Sequence, residues 1–188
     1  MPGRIYNTLA QIAVDQHGYV TARDAVASGV DPHRLVEMAR RGTIERVAHG
    51  IYRMPVISPT GLEQLMEATL WPHGQGVLSH ETALDLHGLC DVNPAKIHIT
   101  VPRSYRLTRE APALYTIHRC DLEASETTRH EGIPVVTPGR AIADGIETHL
   151  RGDLLRQAID TARRRGSIRP ADLKRLAGQL ADEGAKER

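Results

Sequence analysis

Apolar residues recur at helical spacing at Ile5, Leu9, Ile12 and Ala13, and Gly18 follows where such a run would stop. This pattern predicts a first helix from about Arg4 to Gln16. In "YVTARDAVASG" a short extended piece leads to Thr21, an N-cap with Asp24 three residues on as a capping box, and Gly29 as terminator. The second helix is therefore short, about Ala22 to Ser28. The third has clearer signals: Asp31 caps it, Pro32 occupies the first helical position, where its missing N–H costs nothing, and Gly42 ends it. At about 100° per residue, Leu35, Val36, Met38 and Ala39 fall on one side, and His33, Arg34, Glu37, Arg40 and Arg41 on the other.

Beyond Gly42, "TIERVAHGIYRMP" holds two short β-prone pieces around His49 and Gly50 and stops at Pro55, which reads as a hairpin. Ile44 and Val47 differ in parity, so the hairpin needs a bulge or a sharp twist. The pattern breaks at "PVISPTG", placing a boundary near residues 55–60 and two domains at 1–56 and 57–188. The second opens with a helix through Leu62, Leu65, Met66 and Thr69, then the Gly-rich "WPHGQG", then a helix from Ser79 to about His87 ended by Gly88. "KIHITVP" alternates Ile97, Ile99 and Val101 inward as a half-buried strand. Further extended pieces are expected at Leu114 to His118 and Ile133 to Val136. A helix from Pro138 to about His149 faces Ile142 and Ile146 inward, two terminal helices follow, and the tail "DEGAKER" is expected to fray.

Composition narrows the class. A chain of 188 residues with 40% apolar content can build real cores. No run of 18 apolar residues occurs and the N-terminus turns polar too early for a signal peptide, so the expected setting is the cytoplasm, without membrane contact. Cys90 and Cys120 lack CxxC spacing and are expected to be reduced. The formal net charge of +1 hides segregation: Arg151 to Arg175 holds eight bases against three acids, about +5. Only three lysines occur, so nearly all the positive charge is guanidinium, suited to bidentate contact with phosphate or guanine.

Three short helices followed by a hairpin is the order of a winged helix-turn-helix, whose third helix enters the major groove while the hairpin touches backbone or minor groove. Arg34, Arg40 and Arg41 can then meet phosphates or guanine edges, Glu37 can accept from cytosine, and His33 lies near the helix N-terminus. Arg46, His49 and Arg53 arm the wing. The same geometry also serves protein contacts. Enzymatic readings find less support. His80, His87, Cys90 and His98 fall within nineteen residues, beside Glu81 and Asp85, but without the close pairing of structural zinc sites, so no metal or other cofactor is expected. Ser79 lacks a GxSxG setting and reads as a helix N-cap. The acid-x-Lys triplet "DLK", Asp172 to Lys174, falls in a helix rather than on a nuclease strand; "DLE", Asp121 to Glu123, lacks the Gly-Ser turn of a nucleotidyltransferase; and no P-loop or GxGxxG appears.

"GYVTARDAVASGVDPHRLVEMARRGTIERVAHGIYRMP" resembles the N-terminal winged-helix domain of AbiE-type (AbiEi) antitoxins. "LSHETALDLHGLCDVNPAKIHITVPRSYR" and "GIPVVTPGRAIADGIE" are similar to that family's antitoxin domain, and the three segments span most of residues 4–150. The resemblance implies an α+β protein in which the winged helix-turn-helix precedes a mixed α/β C-terminal antitoxin domain. It further implies a non-enzymatic bacterial autorepressor that binds inverted repeats in double-stranded DNA ahead of its own operon, in a type IV toxin-antitoxin system, and neutralises a nucleotidyltransferase-like toxin. The family's winged-helix contacts map to Arg34, Glu37, Arg40, Arg41, Arg46 and Arg53. Longer relatives continue into an endonuclease-like domain that these 188 residues do not include. The alternatives are a winged-helix protein-binding module and a regulator with no toxin partner.

Overall fold

The computed structural model describes residues 3–107 and 110–186. The chain divides into two units, residues 1–76 with 131–133, and residues 77–130 with 134–188. The first runs α1 (Arg4–Val14), β1 (Tyr19–Thr21), α2 (Ala22–Ala27), α3 (Pro32–Arg40), β2 (Glu45–Ala48), β3 (Ile51–Arg53) and α4 (Glu63–Leu70). Its three strands form an antiparallel sheet in the order β1-β3-β2.

Local chemistry accounts for these elements. The capping box of α2 is complete: Thr21 Oγ1 accepts from the Asp24 N–H at 3.1 Å, and Asp24 Oδ2 accepts from the Thr21 N–H at 2.8 Å. Two of the donors left open at a helix start are thereby satisfied. Asp31 Oδ1 accepts from the His33 N–H at 2.9 Å and Pro32 fills the first position of α3. The β2-β3 ladder slips one residue between Arg46 and Ala48, so Val47 is the bulge that the parity of Ile44 and Val47 requires. Gly50 closes the hairpin at φ 73°, a left-handed conformation that side chains with a Cβ resist.

The core of this unit gathers Leu9 and Ala13 from α1, Val20 from β1, Ala25 from α2 and Leu35 from α3, together with Val30, Ile44, Tyr52 and Met54. Two positions grouped with the apolar side in sequence face outward: Val36 is 46% exposed and Ile5 38%. Val36 lies about 100° around α3 from Leu35, beyond the reach of the core, whereas Met38 and Ala39 flank Leu35 and pack against it.

The second unit holds β4 (Val77–Leu78), α5 (His80–Leu86), β5 (Ile97–Val101), β6 (Tyr115–Arg119), a single 3₁₀ turn (Ala124–Glu126), β7 (Thr127–His130), β8 (Ile133–Val136), α6 (Pro138–Glu147), α7 (Gly152–Arg165) and α8 (Pro170–Lys186). The strands form a mixed sheet in the order β6-β5-β4-β8-β7, with β4-β5 antiparallel and both β5-β6 and β4-β8 parallel. Helix α5 packs on β5 and on α6, and α6, α7 and α8 pack together. Gly145 allows the close approach: a Cβ there would stand 3.0 Å from Leu155 Cδ2 and 3.5 Å from Leu84 Cδ1. The two-residue β4 and the polar β7 ("TTRH") escape periodicity, being too short or without an apolar alternation. Helix α8 continues to Lys186 through most of the tail expected to fray; Glu187 and Arg188 lie outside the described residues.

Leu35→Ala would remove the one fully buried anchor of α3. The expected cost is about 2–5 kcal/mol in a urea unfolding titration. A loss under about 1 kcal/mol would mean that α3 is not seated on this core.

Candidate nucleic-acid interface

His33, Arg34, Glu37, Arg40 and Arg41 are all exposed on α3 and its C-cap, on the side that the burial of Leu35 turns outward. Arg34 Nη1 donates to Glu37 Oε2 at 3.0 Å, with both side chains about half exposed. Water screens such a pair strongly, so the guanidinium can exchange this carboxylate for a phosphate at little cost. Arg40 in the last turn and Arg41 at the C-cap stand near the unpaired carbonyls, where positive charge suits the helix dipole. At the hairpin tip, Arg46 Nη2 and His49 Nδ1 are 3.4 Å apart, and Arg46 can only donate in such a contact.

Arg53 is placed differently. It ends β3, the central strand, opposite Tyr19 and Glu45 and at the end away from the His49-Gly50 turn. It is half-buried near the Tyr19 phenol, which donates to Glu67 Oε2 at 3.2 Å. Burial, with Glu67 adding to it, pushes the Tyr19 hydroxyl well above the usual range, while Arg53 acts in the opposite direction. The structure thus brings five predicted residues together on α3 and two at the wing tip, and sets Arg53 apart from both.

The acidic motifs weighed as enzymatic are committed to local structure. Asp172 pairs with Arg169 at 2.9 Å on α8, Asp121 Oδ1 accepts from the Arg103 N–H at 3.0 Å, and Glu123 caps the 3₁₀ turn with Glu126. Cys90 and Cys120 are free thiols. The basic run on α7 is partly structural: Arg163 pairs with Asp160 at 2.7 Å, Arg164 donates to Thr161 Oγ1, and Arg165 donates to the His87 carbonyl at 2.8 Å, covering the end of α5.

Ser79 stands at the N-cap position of α5 but makes no capping bond, contrary to expectation. Its hydroxyl is fully buried, accepts from Thr100 Oγ1 at 2.8 Å and lies 2.8 Å from His80 Nδ1. The histidines also regroup. His87 Nε2 donates to the Val136 carbonyl at 2.8 Å, away from His80 and His98, and His118 of β6 joins those two instead. His118 lies twenty residues beyond His98 in sequence, and only the parallel β5-β6 register, with Thr100 opposite His118, puts the two imidazoles on one face. Nearby, Arg140 donates to Asp144 Oδ1 at 2.6 Å and Glu126 Oε1 at 2.8 Å. Burial works against the Arg140 charge, but the bonds to Asp144, Glu126 and Cys120 Sγ outweigh it and hold the guanidinium protonated.

The first unit's helix order, sheet order and bulged hairpin define a winged helix-turn-helix. Residues 7–55, from within α1 through β3, match a family model described as "Transcriptional regulator, AbiEi antitoxin". Among solved structures, the RV2827C protein from Mycobacterium tuberculosis is similar, with a TM-score of 0.52 and 17% sequence identity over 98% of this chain and 78% of that one, a likeness of fold. Comparison with curated proteins gives no match. No helix among the described residues is long and apolar enough to cross a membrane.

Burial pushes down the pKa of four histidines in the second unit: His80 to about 3, His118 to about 4, and His87 and His98 below the ordinary 6.5. Below 6.5 the unfolded chain takes up protons that the folded one resists, so stability is full above that pH and falls as pH drops toward the folded values. Melts between pH 7.5 and 4.5 should show a declining midpoint. His87, with His130 near it and the Val136 carbonyl bond acting in the opposite direction, contributes to the decline, and His87→Gln should make it shallower while keeping a donor for that carbonyl. A midpoint independent of pH in the native protein would refute this.

Proposed function

We propose that this chain is a DNA-binding antitoxin and transcriptional autorepressor of a type IV toxin-antitoxin operon, working in the cytoplasm without catalysis. The observation that carries this reading is the exposed basic side of α3 in a winged helix, within the segment that matches the AbiEi transcriptional regulator model. In this reading α3 enters the major groove. Arg40 and Arg41 reach guanine edges or phosphates, Arg34 releases Glu37 to take a phosphate, Glu37 becomes free to accept from cytosine, and His33 approaches the backbone beside the helix N-terminus. Arg46 and His49 at the wing tip touch the backbone or minor groove beside it. Arg53 supports the wing from β3 and contributes charge to the same field. Inverted repeats ahead of the operon present two such half-sites to two copies of the chain.

The second unit serves the antitoxin role. Its resemblance to the AbiEi antitoxin domain is what motivates a nucleotidyltransferase-like toxin, encoded beside this chain, as the protein partner. Co-expression of the neighbouring gene product with and without this chain tests that part directly. Growth arrest that this chain relieves supports it, and arrest left unrelieved removes it.

For DNA, the measurement is retardation of a fragment taken from just ahead of the reading frame, across a range of salt. Affinity should fall steeply with salt as phosphate contacts release counterions. Arg40→Ala should weaken binding by roughly 1–3 kcal/mol if the contact is a bidentate guanine pair, and Arg163→Ala should act less. Joint replacement of Arg40, Arg41 and Arg46 by Ala should abolish specific retardation; unchanged affinity would remove α3 and the wing from the interface. A salt-insensitive complex with a protein, and no shift of the upstream fragment, would make the winged helix a protein-docking module instead.

A further inference from the structure

We propose that His80, His98 and His118 form a binding site for a divalent transition metal ion of the zinc type. They are the only group of three or more metal-ligating side chains whose donors lie this close among the described residues: a ring nitrogen of each lies within 4.8 Å of the others. His98 and His118 project from the same face of the parallel β5-β6 pair, and His80 opens α5 above them. His98 Nδ1 and His118 Nε2 stand 3.1 Å apart. Two nitrogens held about 2.0–2.1 Å from a tetrahedral zinc ion stand about 3.3 Å from each other, so this pair already has close to the required separation.

The surroundings fit such an ion. Burial favours the neutral imidazole, the form that ligates. Nδ1 of His80 is engaged by Ser79 Oγ at 2.8 Å and has Asp144 Oδ2 at 3.7 Å, which leaves Nε2 as the His80 ligand. That Asp144 oxygen is buried with no partner at full hydrogen-bond geometry, and the His80 backbone N–H lies beside the carboxylate. A buried carboxylate aimed at the far nitrogen of a ligating histidine is the usual outer partner of imidazole-bound metals, and it raises the basicity of the ligand. His80 also holds a left-handed backbone, φ 52°, uncommon for a residue with a side chain, and its ring lies over His118 of β6. The ring now lies flat on His118, with 3.4 Å between centroids, so binding tilts it about the Nδ1 end that Ser79 and Asp144 hold and brings Nε2 toward the ion. Three imidazoles leave a fourth coordination position for water, and the ion ties the start of α5 to β5 and β6.

The test uses the full chain stripped of metal by a chelator and titrated with Co²⁺, then with Zn²⁺. One equivalent of Co²⁺ should bind with the visible absorption of a tetrahedral site and be displaced by Zn²⁺. His98→Ala and His118→Ala should each weaken binding at least tenfold, while His87→Ala and His49→Ala should not. Because a variant in the sheet can misfold, imidazole ¹⁵N shifts of the native protein are followed on adding Zn²⁺. Movement of the ring signals of His80, His98 and His118 supports the site. Absence of stoichiometric binding, or movement confined to other histidines, overturns it.

Discussion

The orientation of α3 rests on one side chain. Leu35 is fully buried in a core shared with residues of α1, β1, α2 and β3, and a helix held at one such point has little freedom to roll about its axis. With Leu35 facing the core, and Met38 and Ala39 packed on either flank, residues 33, 34, 37, 40 and 41 have nowhere to point but solvent. The caps act on the same degree of freedom from the ends. Asp31 and Pro32 set where the helix begins, and the turn through Gly42 sets where the chain leaves it for β2. The exposed basic side is therefore a consequence of apolar packing: the charges do not position themselves.

The second unit adds a buried polar cluster to its apolar core. Ser79, Thr100, His80 and Asp144 are all buried at the junction of α5, β5 and α6, and each buried donor or acceptor must find a partner or cost stability. Thr100 and His80 satisfy Ser79, Arg140 satisfies one oxygen of Asp144, and Glu126 shares the same guanidinium. Only the other Asp144 oxygen is left over among the described residues, and it stands beside His80. A network this nearly closed makes its single open position informative, because apolar substitutes at these sites would have carried no such cost.

Sequence patterning reads the two units unequally, for physical reasons. In the winged helix the determinants are local: a capping box three residues long, a proline at a helix start, a parity mismatch that forces a bulge. Each is visible within a window of a few residues, and the structure places each where the pattern does. Val36 is the exception, since an apolar side chain at the margin of the stripe carries no label saying whether the core reaches it. In the second unit the decisive relations are long-range. The pattern of β5 shows Ile97, Ile99 and Val101 on one face, but that the opposite face is also covered, with Thr100 buried and His98 half-buried, depends on α5 lying over it. His118 could not be joined to His80 and His98 by spacing, because a parallel strand pair carries no turn that announces its register. Ser79 departs from the pattern for a related reason: its place at a helix start suggests a cap, while its hydroxyl is engaged by Thr100, twenty-one residues on.

Charge placement links fold to the proposed DNA role. A net charge of +1 gives the whole chain almost no long-range attraction for a polyanion, so attraction must come from local fields. Part of the guanidinium content is committed elsewhere: Arg140 and Arg165 hold the second unit together, and Arg163 and Arg169 form exposed pairs with acids one turn away. On α3 the balance differs, because among His33, Arg34, Glu37, Arg40 and Arg41 the only acid is Glu37, and it is matched to Arg34 by an exposed, weakly held pair. A carboxylate at that place has a further consequence for recognition. It repels phosphate wherever Arg34 has not released it to a base, so a sequence offering a cytosine amino group beside a phosphate for Arg34 gains both contacts, and one lacking the cytosine leaves a desolvated carboxylate unpaired. Guanidinium groups alone would bind any duplex; the single acid among them is what can make the face selective.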